Sequence, residues 1–554
     1  MKYFYILFFI ILFIFSCTND DDSQILKEKE PIELTTLPVT NESLYSLELN
    51  ADFKIDDINL MTEYGFIVDT IKDVSPNKNM KMFKAQIKNN KLYTLLGSLV
   101  NNKTLYIKSY AKIKDKYYFG NEIEHKLIED NVLYIEKDLI IDSQEKLNEL
   151  AEKKYTSIRQ RNNSSSLIIT GNVNDISGLN TIEILELHFL RIEDSKIENL
   201  NGFNKLKSIS SGHMFYYGVS ISNNKSLKKI EGFEEFTTNY SALSIYNNPN
   251  LETINSFNKL HVNYDDLQIS KNPNLRVVDS FKSLSGLSRL FITENDNLIT
   301  LNNSFEKLEL AVYGTIISNN KNLSKINNFK SLKKTEYLNV ENNKLLDEIS
   351  FPNLETVNWA FNILYNDNLT KLSFPNFKRA EYINFESNNS LINLDGIKDV
   401  ETDYLFVKFN NSLKNLTSFK NVKIQIHLYG NPLLNSLKGF ENVKELKGTF
   451  DNAEIKIINN NSLEDLSGLD NLKGVYGVDF SIFDNKNLKS LKGLNNLTSI
   501  KSPYGSPRSL SIYENPKLSE YCAIKKFVSN PENNLDTKNN LYNPTIEDIL
   551  KNCK

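Results

Sequence analysis

The residues of this 554-residue sequence best suited to covalent or metal chemistry are three cysteines and five histidines. The histidines (His125, His188, His213, His261 and His427) are scattered, and no two have the spacing of metal ligands. No nucleophile elbow, glycine-rich phosphate loop or HExxH motif is present. The acidic residues are spread along the chain, and no carboxylate pair stands out for general acid–base work. A glycosidase pair is the one enzymatic alternative left open. The expectation is a chain that is not an enzyme and carries no cofactor or metal. Cys522 and Cys553 lie within the last 35 residues, and no histidine is within 90 residues of either. In an oxidising compartment this pair is expected to form one disulfide, with a metal pair as the alternative. A bridge closing about 30 residues stabilises by roughly 3–4 kcal/mol in the loop-entropy model.

Cys17 has a different setting. Met1-Lys2 precedes an unbroken apolar run, Tyr3 to Phe15, and then Ser16-Cys17 and an acidic stretch, Asp20-Asp21-Asp22. Thirteen apolar residues suit an export signal and fall short of the roughly 20 that span a bilayer. A small residue immediately before a cysteine resembles the lipobox of bacterial lipoproteins. That resemblance implies cleavage after residue 16, lipid modification of Cys17 and a polar tether over 17–31. The acidic run is similar to surface-export signals of some Gram-negative lipoproteins, which implies an outer-membrane, cell-surface location. An ordinary signal peptide with an incidental cysteine is the other reading. No further segment is long and apolar enough to enter a membrane. The net charge of −4, from 65 basic and 69 acidic side chains, excludes a general electrostatic hold on nucleic acid or an anionic membrane.

Residues 32–130 read as a separate β-unit. Strand-like runs at Leu44–Phe53, Tyr64–Asp69, Met82–Ile87 and Leu105–Lys114 are broken by turns. In the last, Leu105, Ile107 and Ser109 share one face and Tyr106, Lys108 and Tyr110 the other. Short strands at this spacing suggest a β-sandwich. The stretch Leu99 to Ala111, followed by Tyr118 to Ile123, resembles the final strands of fibronectin type III-like domains, and Tyr64 to Val68 fits an earlier one. The resemblance implies a spacer. Next, residues 142–154 read as a helix capped by Ser143, with Leu147, Leu150 and Ala151 as its apolar stripe. It is expected to lie in a helical N-terminal cap, 135–165, over the first coil of a repeat array.

Asparagine occurs 78 times, about 14 % of the chain, and its positions define that array. One phrase recurs: apolar-x-apolar-x-x-Asn-x-x-Leu-x-x-apolar. Its asparagines are Asn224, Asn248, Asn272, Asn295, Asn320, Asn343, Asn366, Asn388, Asn410, Asn431, Asn460, Asn485 and Asn515, at intervals of 21 to 30 residues. Leucine follows three residues after each, and an apolar residue three after that. Two weaker units precede them, with Asp194 in the asparagine place of the second. Alternating apolar residues make a short strand with one face inward. An asparagine at its end turns the chain inward and offers its amide to the backbone of adjacent coils. Many units add a phenylalanine, such as Phe233, Phe257, Phe281 and Phe329. The phrase resembles leucine-rich repeats, and the extra residue between Asn and Leu resembles receptor L-domain coils. That implies a mainly β fold, with a right-handed solenoid over 166–520 following the N-terminal β-sandwich. Thirteen strands about 4.8 Å apart make a rod roughly 60 Å long. Residues 521–554, with a short helix from Pro544 to Leu550, read as a disulfide-pinned cap.

Positions four and two before each repeat asparagine face outward. Most are small or charged. Tyr246, Phe291, Phe406, His427, Tyr429, Phe483 and Tyr513 stand out as a candidate binding face for a protein or a sugar ring, the cluster from 406 to 513 especially. The bland alternative is stacking on neighbouring coils. Three functions are compatible with this organisation. The leading expectation is a non-enzymatic surface lipoprotein that binds or adheres to a protein or glycan through its solenoid. The others are a glycan-capturing lipoprotein of an outer-membrane uptake system and a structural envelope protein.

Overall fold

The computed structural model describes residues 30–553 apart from 41–45, 76–80, 89, 98–102, 128–130, 163, 211–217, 240, 264, 417–418, 449–451, 503 and 505–507. The expected signal segment 1–16, Cys17, all but the last two residues of the tether, and His213 lie outside the described residues. The chain divides into two units at Ile128.

The described residues of the first unit form eight strands: β1 (Ile32–Thr36), β2 (Ser46–Ile55), β3 (Met61–Asp69), β4 (Lys81–Lys84), β5 (Gln86–Lys88), β6 (Lys91–Gly97), β7 (Thr104–Ile113) and β8 (Lys116–Lys126). They form two antiparallel sheets, ordered β1-β2-β6-β5 and β4-β3-β7-β8. Leu47 and Leu49 of β2 and Leu92 of β6 share one core with Phe66 of β3 and Leu105 and Ile107 of β7. One expectation is corrected. Met82–Ile87 is two strands in different sheets, because the chain changes sheet at Ala85, whose N–H donates to the Tyr64 carbonyl at 3.1 Å. The two faces read on β7 are both present: Leu105 and Ile107 enter the shared core, while Tyr110 is buried on the other side with Ile67 and Val74, Tyr106 packing against it, and its hydroxyl donates to Glu63 at 3.1 Å.

The second unit opens with β9 (Val132–Ile135), β10 (Leu139–Ser143) and α1 (Gln144–Glu152). Ser143 caps α1 by accepting the Lys146 N–H at 3.4 Å, and Leu147 is buried beneath it. Gln144 ties the helix to the first coil, donating to the Asp175 carbonyl at 2.9 Å and accepting the Asn174 N–H at 3.2 Å. The expected lid therefore carries strands as well as a helix, and β10 already pairs in parallel with Leu167–Asn172.

From here the chain winds into a parallel β-solenoid of about 16 turns. Each main strand pairs with its counterpart in the next coil, forming one long sheet. Short parallel sheets beginning at Lys229–Ile230 and Lys325–Ile326 line a second wall. The phrase sets which side chains point inward: Leu338 and Val340 before Asn343, and Leu346 and Ile349 after it, are all fully buried.

All thirteen repeat asparagines are fully buried, and their amides are saturated. Asn343 is representative. Its Oδ1 accepts the Asn320 N–H at 3.1 Å, while its Nδ2 donates to the Ile317 carbonyl at 2.9 Å and the Glu341 carbonyl at 3.1 Å. The first of these bonds joins every consecutive pair from Asn224 to Asn515. Such saturation removes the desolvation cost that a buried amide otherwise carries. The residue ahead of each asparagine takes the left-handed conformation that turns the chain inward, as at Asn223 (φ 59°) and Glu514 (φ 57°). This corrects the reading of Asp194. With φ 50° it holds the left-handed place, and Ser195 holds the asparagine place, donating its N–H and Oγ to Asn224 Oδ1 at 3.1 and 2.6 Å. The ladder also outruns Asn515: Asn540 Oδ1 accepts the Asn515 N–H at 3.0 Å, and Asn543 Oδ1 accepts that of Asn540 at 3.0 Å.

Two further rows run through the interior. Phe203, Phe233, Phe257, Phe281, Phe305, Phe329, Phe351 and Phe374 stack in succession, with centroids 4.7 to 5.6 Å apart. Opposite the asparagines, Ser280 Oγ accepts the Ser256 N–H at 3.0 Å and donates to the Ile254 carbonyl at 2.9 Å, and Ser304 repeats the pattern one coil on.

The last coil lies inside the stretch read as a cap: Asn534–Lys538 pairs in parallel with Ser509–Tyr513. Two short helices, α2 (Lys525–Val528) and α3 (Ile546–Asn552), close the end. Thr545 and Asp548 form a reciprocal capping box on α3. Cys522 and Cys553 are joined, with Cα atoms 5.2 Å apart. Reducing this bridge is expected to lower the local opening energy of α3 by about 3 kcal/mol. Amide exchange would then quicken over 546–553 and stay constant in mid-array. Faster exchange throughout would mean the bridge stabilises the whole solenoid.

Candidate binding face

The outward face of the main sheet changes character along the array. Main strands in the early coils are short, as in Ala242–Tyr246 and Leu267–Ser270, because buried Asn239 and Asn263 turn the backbone at a corner. Asn263 Nδ2 donates to the Asp265 carbonyl at 2.8 Å there. From Gly286 the strands run longer, as in Thr356–Leu364 and Phe419–Tyr429. Buried Thr335 and Thr402 then stand at the corner, and their hydroxyls donate to the Tyr337 and Tyr404 carbonyls, both at 3.1 Å.

The seven residues expected on this face all lie there, and six have a partner within the chain. Lys271 sits over the Tyr246 ring, 5.3 Å from its centroid, and donates to its hydroxyl at 3.3 Å. Arg289, held by two bonds to Asp266 at 2.9 and 2.7 Å, covers Phe291. Phe406 lies between Lys408 and the His427 ring. Phe409 packs edge-on to Tyr429, with centroids 5.0 Å apart. The Tyr513 hydroxyl donates to Asp536. Phe483 is flanked in register by Ile458 and Tyr513. Ring contacts between coils account for Phe406, His427 and Tyr429, while cations cover Tyr246 and Phe291 and a hydrogen bond holds Tyr513. His427 Nε2 lies 2.7 Å from Glu454 Oε2, and Lys456 Nζ lies 2.7 Å from Oε1. Burial opposes ionisation of Glu454, but the bonds from His427 and Lys456 outweigh it and hold the carboxyl below the usual range. Both carboxylate oxygens are occupied, so the group serves as an ion-pair partner on this face.

A second aromatic group was not expected. Tyr313, Tyr337 and Trp359 occupy three successive coils and are 54 %, 37 % and 45 % exposed. Tyr382 and Tyr404 follow, stacked 4.3 Å apart and nearly parallel, and Trp359 tilts by 40° against Tyr382 at 5.4 Å. The pairing register shifts between Ala311 and Thr315 and between Val357 and Ala360, so Tyr313 and Trp359 sit in β-bulges. A bulge re-aims its side chain out of the regular alternation, and counting back two and four from each asparagine stopped short of these positions, which lie seven before Asn320 and Asn366. A usable signal existed: Trp359 is the single tryptophan, with tyrosines 22 or 23 residues away on either side. Charges beside the group are neutralised locally. Arg379 pairs with Asp403 at 3.2 Å, Lys423 with Asp403 at 3.6 Å and Lys420 with Glu401 at 2.8 Å.

Among the described residues no cluster of three or more His, Cys, Asp or Glu is arranged to hold a metal ion, and no helix is long and apolar enough to cross a membrane. No family model matches the chain, and neither a curated protein nor a solved structure does.

Proposed function

We propose that this chain is a non-enzymatic, lipid-anchored surface protein that binds its partner through the outward face of the solenoid. The observation that carries the reading is the row Tyr313, Tyr337 and Trp359, large solvent-exposed rings on three successive coils of one sheet. Exposed aromatics in contiguous patches are characteristic of recognition surfaces. The anchor rests on Ser16-Cys17 behind thirteen apolar residues, with the acidic run after it favouring an outer-membrane, cell-surface location. The first unit serves as a spacer. Lettered in chain order, its sheets read A-B-E-D and C′-C-F-G, an order that supports the fibronectin type III-like reading. The strand–Asn–Leu phrase likewise supports coils of the leucine-rich-repeat, receptor L-domain type.

The anchor has a direct test. Cys17→Ala is expected to shift the protein almost wholly from the membrane pellet to the soluble fraction; a pelleted variant would refute lipid attachment. Binding has its own. Cells carrying the protein are expected to lose attachment to a ligand-bearing surface when Trp359 and Tyr337 are replaced together, at equal surface level. Undiminished attachment would remove the outward face from consideration.

A further inference from the structure

We propose that Tyr313, Tyr337 and Trp359 form a platform for a neutral glycan chain that runs along the solenoid axis, one sugar ring above each coil. The inference rests on the outward face being a binding surface and adds the class of ligand. Its first support is the state of the rings. Among the described residues, the side chains of Tyr313 and Tyr337 have no hydrogen bond, ring contact or cation over them, and Trp359 is touched only along one side, by Tyr382. The C–H face of a sugar ring is an apolar surface that such a ring can cover.

The second support is a row of amides beside the rings. Asn339, Asn362 and Asn384 lie in register on the same face, two or three residues beyond Tyr337, Trp359 and Tyr382. Asn362 Nδ2 donates to Asn339 Oδ1 at 2.7 Å, joining two of these amides across adjacent coils. Amides both donate and accept, as sugar hydroxyls do. Charge is the third support. Lys334, Arg379, Lys420 and Lys423 are balanced by Glu336, Glu381, Glu401 and Asp403. A polyanion would find no net positive field, and a charged protein partner would meet Arg379, Lys420 and Lys423 already paired at home. Finally, adjacent strands repeat at about 4.8 Å, close to the length of one ring in an extended sugar chain. Successive coils therefore present ring, amide and ring again at a matching interval.

The test uses the detergent-solubilised full chain in affinity electrophoresis and titration calorimetry. The probes are soluble β-glucan, mannan, xylan and galactan, with polygalacturonate and hyaluronate as anionic arms. Binding to at least one neutral polysaccharide is expected, with Kd raised about tenfold or more by Trp359→Ala and by Tyr337→Ala. Both side chains are exposed, so unchanged melting curves establish that the fold is intact. Retardation by anionic polymers only, by none, or equally in both variants overturns the proposal. The same variants are then tested on beads coated with purified surface and matrix proteins. Trp359-dependent capture by a protein without any neutral-glycan binding overturns the glycan and leaves the binding face standing. Independence from Trp359 and Tyr337 in both assays sinks the two together.

Discussion

Phe281→Ala is expected to destabilise the solenoid by about 4 kcal/mol, the upper range for loss of a buried aromatic. Phe281 is fully buried and stacks between Phe257 and Phe305, at 5.5 and 5.4 Å. Removing its ring therefore opens a cavity bounded above and below by two other rings. Those neighbours cannot slide inward to fill it, because each coil is held by its own strand pairing and asparagine bonds. The backbone gives no compensation either, since φ at Phe281 is 59° and alanine occupies that region no more readily than phenylalanine. Urea unfolding would read the change as a lower midpoint, with amide exchange accelerated in the coils around residue 281. A loss below about 1 kcal/mol would mean the coils collapse over the gap.

The second large effect belongs to the ladder. Asn343→Ala removes the acceptor of the Asn320 N–H and a donor to the Ile317 carbonyl in a single change. Both groups are buried, and each loses a partner worth about 1–3 kcal/mol. A total of about 2–5 kcal/mol is expected, against less than about 0.5 kcal/mol for Asn358→Ala on the exposed surface. Stability in a stacked array is a sum of coil and neighbour terms, so the loss concentrates around residues 317–346. An unchanged unfolding midpoint would show that the strands hold without the amides.

The parts of the fold that follow one phrase were legible because a single physical demand repeats. A buried turn needs a side chain that both donates and accepts, and Asn with Leu three residues on satisfies it thirteen times. Where the demand was met by other means, the pattern failed. Ser195 does the work with a hydroxyl and stands one residue past Asp194. At Asn540, Thr537 replaces the inward apolar residue and Asn543 replaces the leucine, so the final rung does not fit the phrase. In the first unit, alternation on β7 divided the strand as the structure does, with Leu105 and Ile107 in one core and Tyr106 and Tyr110 against a second. The candidate face was half legible. Only positions two and four before each asparagine were read, whereas Tyr337, Tyr382 and Tyr404 stand six before theirs, and Tyr313 and Trp359 stand seven before, past bulges that break the parity.

The ladder bonds have one more consequence. Each rung makes the same contacts with the rung before it, whether the arc between them is 21 residues or 30. Nothing in the joint counts how many rungs precede or follow. Duplicating a stretch of gene that encodes one coil would add a rung and leave its neighbours unaltered; losing one would shorten the array as cleanly. The length of the solenoid is then an inheritable dimension, adjustable in steps of about 4.8 Å without redesign of any existing coil.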